Sequence, residues 1–328
     1  MILKDSKGWA FNRKLTIIGG ARLDQRKPPT NGHKACKVCY YSAMDKNTLI
    51  IKLREYFQER TDVAFAYLFG SMVSGITHAS SDIDIGVYFK TKTGELEYES
   101  ETEYSGEKDL WSDLERVTGR ETDMVVLNRA PSILFDGVLK NGLKIFSNDD
   151  ALLLRLWLAV GMAAQDFREF TDDFVTIRNR SRSLSQQDRD RLTRMVVFLE
   201  NEMQDHAAFK DITQQDYQSN RDIKRNLERW VENAVNVGID IAKVLLASEK
   251  KMIPETYKNI LADLASLPGF DAAIAKRLGE SAIMRNILAH EYLDIRFKMI
   301  SSFLRDTDKT YAYLIKFAQG KLASKAQI

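Results

Sequence analysis

Cysteine and histidine are scarce in this chain, with two and four residues respectively out of 328. Cys36 and Cys39 form a single Cys-x-x-Cys pair with His33 just upstream. A tetrahedral zinc site normally needs four ligands, and no second Cys or His pair stands at ribbon or finger spacing. A redox pair belongs at a helix start behind a strand, a context the neighbouring residues do not supply. The pair is read as two reduced thiols in a leader, and a disulfide scaffold is excluded. Long apolar runs are missing too. The longest, Ala151 to Ala164, is broken by Arg155 and is too short to span a bilayer. No charged stretch followed by an apolar one opens the chain, so the expected compartment is the cytoplasm, away from membranes. Charge of one sign is also lacking: the net is +2 and the pI about 8.3. That balance does not diagnose nucleic-acid binding, although a local basic patch can hide inside it.

What is present is an ordinary soluble composition, 44% hydrophobic and 29% charged, on a chain long enough for about two domains. Residues 1–46 mix Gly19-Gly20, Pro28-Pro29 and Asn31-Gly32 without periodicity, and a poorly ordered leader is expected there. From Asn47 the pattern organises. Leu49, Leu53, Tyr56 and Phe57 recur at helical spacing. Val63 to Phe69 predicts a buried strand closed by Gly70-Ser71, followed by a short helix from Met72. Ile83 to Phe89 and Met124 to Leu127 predict two more strands, with a helix over Asp109 to Thr118 between them. Lys92 to Lys108 is acidic and polar without a hydrophobic face, and reads as a loop or hairpin excursion. Pro131 opens a helix that Asn141-Gly142 closes, Leu143 to Phe146 adds an extended segment, and a helix runs from Asp149 to about Val175.

Residues 47–177 are thus expected to form an α+β domain. The stretch 178–187, rich in Arg, Ser and Gln, is the best linker candidate. Behind it only helices are predicted, the later ones over Ser281 to Phe303 and Thr310 to Gly320. Such a run without strands implies an all-α bundle over 188–320, with 321–328 as a tail.

Two constellations carry chemistry. The first begins with Gly70-Ser71, where a glycine permits close approach of backbone to phosphate and the serine adds a donor. Ser81-Asp82-Ile83-Asp84 follows, and on a strand residues i and i+2 point to the same side. Two carboxylates aimed at one spot repel unless a cation sits between them, and hard Mg²⁺ with phosphate oxygens fits that need. Asp123 begins the next strand and adds a third carboxylate. Three acids can hold two ions that orient ATP, and Asp123 can also take a proton from an attacking hydroxyl. The plainer alternative makes Asp82 and Asp84 exposed strand ends and Asp123 a turn residue. The ordered combination of Gly-Ser, Asp-x-Asp and a later strand-borne Asp is more specific than that. It resembles the nucleotidyltransferases of the DNA polymerase beta superfamily, and over Asn47 to Val175 their minimal MntA form. The resemblance carries Gly70 and Ser71 onto nucleotide-binding positions and Asp82, Asp84 and Asp123 onto metal positions. Ser74 departs from the pattern, since many relatives carry an Arg there.

The second constellation is Arg285-Asn286 with His290 and Tyr292. On a helix Asn286 and His290 share a face, with Arg285 beside them. A histidine can shuttle a proton and an arginine can hold a phosphate, which together suffice for metal-free RNA cleavage. Read from chemistry alone, a core histidine and a surface ion-pair partner are the plainer assignment. The pattern of Arg, Asn, three residues, His, one residue and Tyr on a late helix resembles the HEPN ribonucleases, and closely their HepT branch. That likeness also takes in Arg229, Asn233 and Asp240 on an earlier helix. It implies Arg285, Asn286 and His290 as catalytic residues, RNA as substrate, and a homodimer or higher oligomer paired through the His290 helix.

HepT toxins and MntA antitoxins usually occur as separate proteins, and here both patterns stand on one chain. The resemblance implies a fused toxin-antitoxin enzyme that moves AMP from ATP onto Tyr292 and silences its own endoribonuclease. Two rivals are kept: a small-molecule, aminoglycoside-type nucleotidyltransferase with a helical acceptor-binding domain, and a helical domain that serves assembly alone.

Overall fold

The run Val63-Ala-Phe-Ala-Tyr-Leu-Phe69 has no side that can turn toward water, so as a strand it must be covered on both faces. The computed structural model describes residues 45–74, 82–92, 96–180, 183–290 and 297–324, and there this run is β1 (Val63–Phe69), at the centre of a sheet. Helix α1 (Lys46–Gln58), capped by the Asp45 side chain, precedes it, and the single turn α2 (Ser71–Ser74) follows. Then come β2 (Ile83–Phe89), α3 (Glu107–Thr118), β3 (Thr122–Val126), a 3-10 turn over Leu127–Arg129, α4 (Ser132–Asn141) and β4 (Leu143–Ser147). The strand order is β3-β2-β1-β4; β1 pairs antiparallel with β2 and β4, and β2 pairs parallel with β3.

Alternation along the strands splits the core into two layers. Ala66 and Leu68 of β1, Ile83, Ile85 and Val87 of β2, and Met124 and Val126 of β3 pack with Leu49, Leu53 and Phe57 of α1 and Leu110 and Leu114 of α3. Phe65 and Tyr67 of β1 and Tyr88 of β2 face the other way, onto Phe135 and Val138 of α4 and onto Leu156 and Val160 of the next helix, α5 (Asp150–Arg180). The face carrying Tyr88 is also the face of Gly86 and Asp84, two and four residues back.

The helical half is built on the second part of α5, with α6 (Gln186–Gln204), the short α7 (His206–Phe209) and α8 (Gln214–Ser219), and the long α9 (Arg221–Ser248). Next come α10 (Tyr257–Ala262), α11 (Ala272–Ser281), α12 (Ile283–His290) and α13 (Phe297–Ala323). Phe167, Phe170 and Phe174 of α5, Leu192 and Val196 of α6, Trp230, Val235 and Leu245 of α9, and Tyr311 and Leu314 of α13 share one apolar core. The architecture is an α+β unit followed by a helical bundle, as the sequence pattern predicts.

Two details differ from the sequence reading. Helix α5 continues through Arg180, and α6 starts at Gln186 under a Ser185 cap. Buried Asp188 accounts for that: it pairs with Arg180 (2.5 Å) and accepts from Ser185 Oγ (2.5 Å), joining the two helix ends. Of the helix expected over Ser281 to Phe303, the described parts are helical, as α12 (Ile283–His290) and as the start of α13 at Phe297. From there α13 runs without a break to Ala323, so Thr310 opens no separate helix. Its Thr307 and Thr310 hydroxyls turn back onto carbonyls one turn earlier, so they do not interrupt it. The leader with Cys36 and Cys39, together with Gly75, Ser81 and Tyr292, lies outside the described residues.

Candidate functional site

Parallel pairing of β2 with β3 sets Asp84 opposite Asp123. Both point to the α4 side of the sheet, because their neighbours Ile83, Ile85, Met124 and Val126 fill the α1–α3 side. Asp82, two residues before Asp84 at the mouth of β2, is exposed, as is Asp123, whereas Asp84 is half-buried. Antiparallel pairing brings the end of β1 to the same place, Phe69 opposite Asp84. Gly70, at φ +71°, then turns the chain so closely over Asp84 that a Cβ would collide with its Oδ2. Glycine is required there twice over, for the left-handed backbone and for the approach. Ser71 opens α2 beside it.

The start of β3 is held from outside. The Trp111 indole of α3 donates to the Thr122 carbonyl at 2.9 Å, and the Thr118 and Thr122 hydroxyls meet at 3.2 Å. Ile83 N–H donates to the Glu121 carbonyl (3.1 Å), extending the β2–β3 ladder to the residue before Thr122. Desolvation, together with the charges of Asp123 and Asp82, pushes the Asp84 carboxyl up to about 6. Among the described residues no three acidic, His or Cys side chains already stand at metal-holding distances. The three aspartates lie in one another's electrostatic field, on two adjacent strands. Their chemistry fits a hard divalent ion: oxygen donors only, from two adjacent strands, against a glycine turn.

The second constellation is built differently. Arg285 on α12 pairs with Asp166 of α5 (Nη2–Oδ2 3.1 Å), and its guanidinium lies 4.4 Å from the Tyr257 ring centroid of α10. Phe167 and Phe170 pack edge-on against that ring, fixing the platform. Burial, first among the causes, raises the Tyr257 phenol above its ordinary value, and Arg285 pulls it back. An open cleft of about 350 Å³ runs beside Arg285, lined also by Asp166, Asp240, Lys243 and Tyr257. Asp240, part of the HEPN-like pattern, binds Lys243 at 2.8 Å, and Lys243 also holds Asp173 at 2.8 Å. Arg229 instead pairs with Glu232 on its own helix, and Asn233 meets Glu202 at 3.4 Å, so those two are not brought to Arg285. Asn286 is 7% exposed and donates to Glu99. His290 is the last residue of α12, four residues and one turn from Asn286; its side chain is not among those described.

Sequence reasoning passed over Glu99, Asp166 and Tyr257. Asp166 lies in a helix read only for its apolar stripe. Tyr98, a buried aromatic in an otherwise acidic loop, was the one signal that the segment around Glu99 is anchored.

Residues 51–151 match the family model described as polymerase beta, nucleotidyltransferase, and residues 163–316 match the one described as ribonuclease HepT-like. A solved structure described as a crystal structure of the toxin-antitoxin with AMP-PNP is similar over 40% of this chain and 98% of that chain, at 22% identity and a TM-score of 0.30. Among curated proteins, none matches the chain. No helix among the described residues is long and apolar enough to cross a membrane.

Proposed function

We propose that this chain, in which a polymerase beta nucleotidyltransferase domain is followed by a HepT-like ribonuclease domain, is a fused toxin-antitoxin enzyme that silences its own ribonuclease by adenylylation. The observation that carries the transferase half is the β2–β3 register, which sets Asp84 beside Asp123 on one face. Asp82, Asp84 and Asp123 would hold Mg²⁺, which when bound offsets the triphosphate charge of ATP and favours in-line displacement at its α-phosphorus. Gly70 admits the phosphates to the β1 turn, and Ser71 offers them a hydroxyl. Asp123 takes the proton of the Tyr292 hydroxyl as that oxygen bonds to the α-phosphorus. The bond from that phosphorus to the bridging oxygen breaks, pyrophosphate leaves, and AMP stays on the tyrosine.

In the helical half, Arg285 and Asn286 hold an RNA phosphate and His290 moves the proton of the neighbouring ribose 2′-hydroxyl. The 2′-oxygen bonds to phosphorus, the 5′-oxygen leaves with a proton, and the products carry a 2′,3′-cyclic phosphate and a 5′-hydroxyl. The cleft beside Arg285 and its aromatic platform support that role. AMP on Tyr292, two residues beyond His290, adds a negative charge where the RNA phosphate binds. Pairing of two copies through α12 completes the reading. Ile283 of α12 and Met162 of α5, 45% and 50% exposed, supply apolar surface on helices that the Arg285–Asp166 pair joins.

The test is incubation of the full chain with labelled ATP and Mg²⁺, followed by intact mass and peptide mapping. One or more AMP units are expected on the peptide containing Tyr292. Equal labelling of the Tyr292→Phe variant would remove the target assignment.

A further inference from the structure

Of the two motif residues whose side chains are described, Asn286 is occupied from the other domain. Its Nδ2 donates to Glu99 Oε2 at 3.1 Å, a contact that spans 187 positions of sequence. Its Oδ1 is buried and has no partner among the described residues. The other Glu99 oxygen accepts from the Ser132 N–H at the start of α4, at 2.9 Å. Glu99 adopts a left-handed backbone, φ +53°, in a residue that gains nothing from it locally. Its carboxyl is largely buried, and burial pushes its pKa up against the bonds from Ser132 and Asn286 and the field of Arg285.

Those two costs persist only where the surroundings over-determine them. The surroundings do so here. Glu97 N–H donates to the Tyr88 hydroxyl (2.9 Å), Ser100 N–H to the Asn128 carbonyl (3.1 Å), and Glu99 N–H to the Ala130 carbonyl (3.3 Å). Asn128 is itself fully buried and bonds both backbone groups of Phe89 (2.8 and 3.0 Å), so the loop hangs from the far end of β2. Glu101 then pairs with Lys258 of α10 in the helical half. An acidic surface loop that needs nothing from the ribonuclease has no reason to bury its one strained carboxylate against that motif.

We propose that the nucleotidyltransferase domain also restrains the ribonuclease by direct contact, without transferring anything, the Glu99 carboxylate acting as a plug on Asn286. The inference rests on reading Arg285, Asn286 and His290 as a ribonuclease motif. Its physical basis is twofold. The Asn286 amide that an RNA phosphate needs as a donor is already spent, and the Glu99 side chain occupies the place beside Asn286 that the phosphate would take. Cleavage therefore requires the 96–101 loop to withdraw first. Adenylylation of Tyr292 then makes lasting a restraint that contact supplies from the moment of folding.

The experiment uses the full chain carrying Asp82→Asn and Asp84→Asn, so that no AMP is transferred, and a fluorescent RNA without ATP. Adding Glu99→Ala is expected to raise cleavage roughly 10- to 100-fold, the range for losing a hydrogen bond to a charged group, and His290→Ala to abolish that gain. Glu99→Gln, able to bond the same amide, is expected to stay near background. Should Glu99→Ala fail to fold, Ser132→Pro loosens the plug while keeping it in the chain. Proline is accepted at the first helical position, and Pro131 already has the extended ψ of 143° required before it. Fast cleavage with Glu99 intact, unchanged by either variant, overturns the contact restraint and leaves the ribonuclease reading standing. Absence of His290-dependent cleavage in every variant overturns the ribonuclease reading and the restraint with it.

Discussion

At the edge of the sheet, three carboxylates lie in one another's field, and no ion pair to Asp82, Asp84 or Asp123 appears among the described residues. Around Arg285 the opposite holds: the guanidinium meets Asp166 and the Tyr257 face, and Asn286 meets Glu99. One site carries an unbalanced charge and the other a nearly closed account of donors and acceptors. An unbalanced cluster of hard oxygen donors suits a divalent cation and the phosphate it would carry. In the second motif the described Arg285 and Asn286 side chains already have protein partners, and the proposed contact restraint rests on that.

The largest effect that would break this contrast is on transfer. Asp123→Asn removes one carboxylate and the proton acceptor while keeping size and strand propensity. AMP incorporation from labelled ATP is expected to fall about 10²- to 10⁴-fold, the range of a positioned acid–base group. Labelling at the wild-type rate would mean that Asp123 merely ends a strand, and the shared-cation reading of the register would go.

A smaller effect sharpens the structural half. Gly70→Ala forces a side chain into a left-handed conformation and onto the Asp84 carboxylate. The two costs together are expected to lower stability by roughly 2–5 kcal/mol, read from urea midpoints. Gly119, also left-handed (φ +65°) at the end of α3, has nothing within 4 Å of its added Cβ. Gly119→Ala should cost only the backbone part, about 1–2 kcal/mol. If the two variants lose the same amount, the close approach of Gly70 to Asp84 is not a packing constraint.

The same contrast explains what the sequence made legible. Asp82, Asp84, Gly70 and Ser71 lie within one strand-turn-strand unit, where period-two alternation and glycine chemistry are local rules. Asp123 needed only the guess that the next strand lies alongside, and the parallel register supplied the rest. The surroundings of the second motif could not be read this way. Glu99, Asp166 and Tyr257 come from three distant segments, and their meeting at α12 depends on how α4, α5, α9 and α10 pack. An acidic loop has no periodicity from which to infer that one of its carboxylates points inward. Composition placed a linker at 178–187; α5 ends inside that stretch at Arg180 and α6 starts at Gln186, and the Asp188–Arg180 pair, which needs the packed helices to be seen, bridges the two helix ends.

The smallest expected effect tests the charge imbalance itself, in the absence of metal and nucleotide. Asp84 has a folded-state pKa raised to about 6, against an ordinary carboxylate value when unfolded. A raised carboxyl pKa means that ionisation disfavours the folded state. Below about pH 4 the group is protonated in both states and contributes no penalty. As pH rises through about 6 the penalty becomes complete, and it remains so at neutral pH. Asp84→Asn should therefore stabilise the metal-free protein at pH 8, on the order of 1 kcal/mol once the solvent on its exposed half is allowed for. The gain should shrink as pH is lowered toward 4. Added Mg²⁺ should reverse the order at pH 8, raising the melting temperature of the wild type and leaving that of the variant nearly unchanged. A variant less stable than wild type at pH 8 without metal would show that Asp84 is already compensated by the protein, and the two sites would no longer differ in kind.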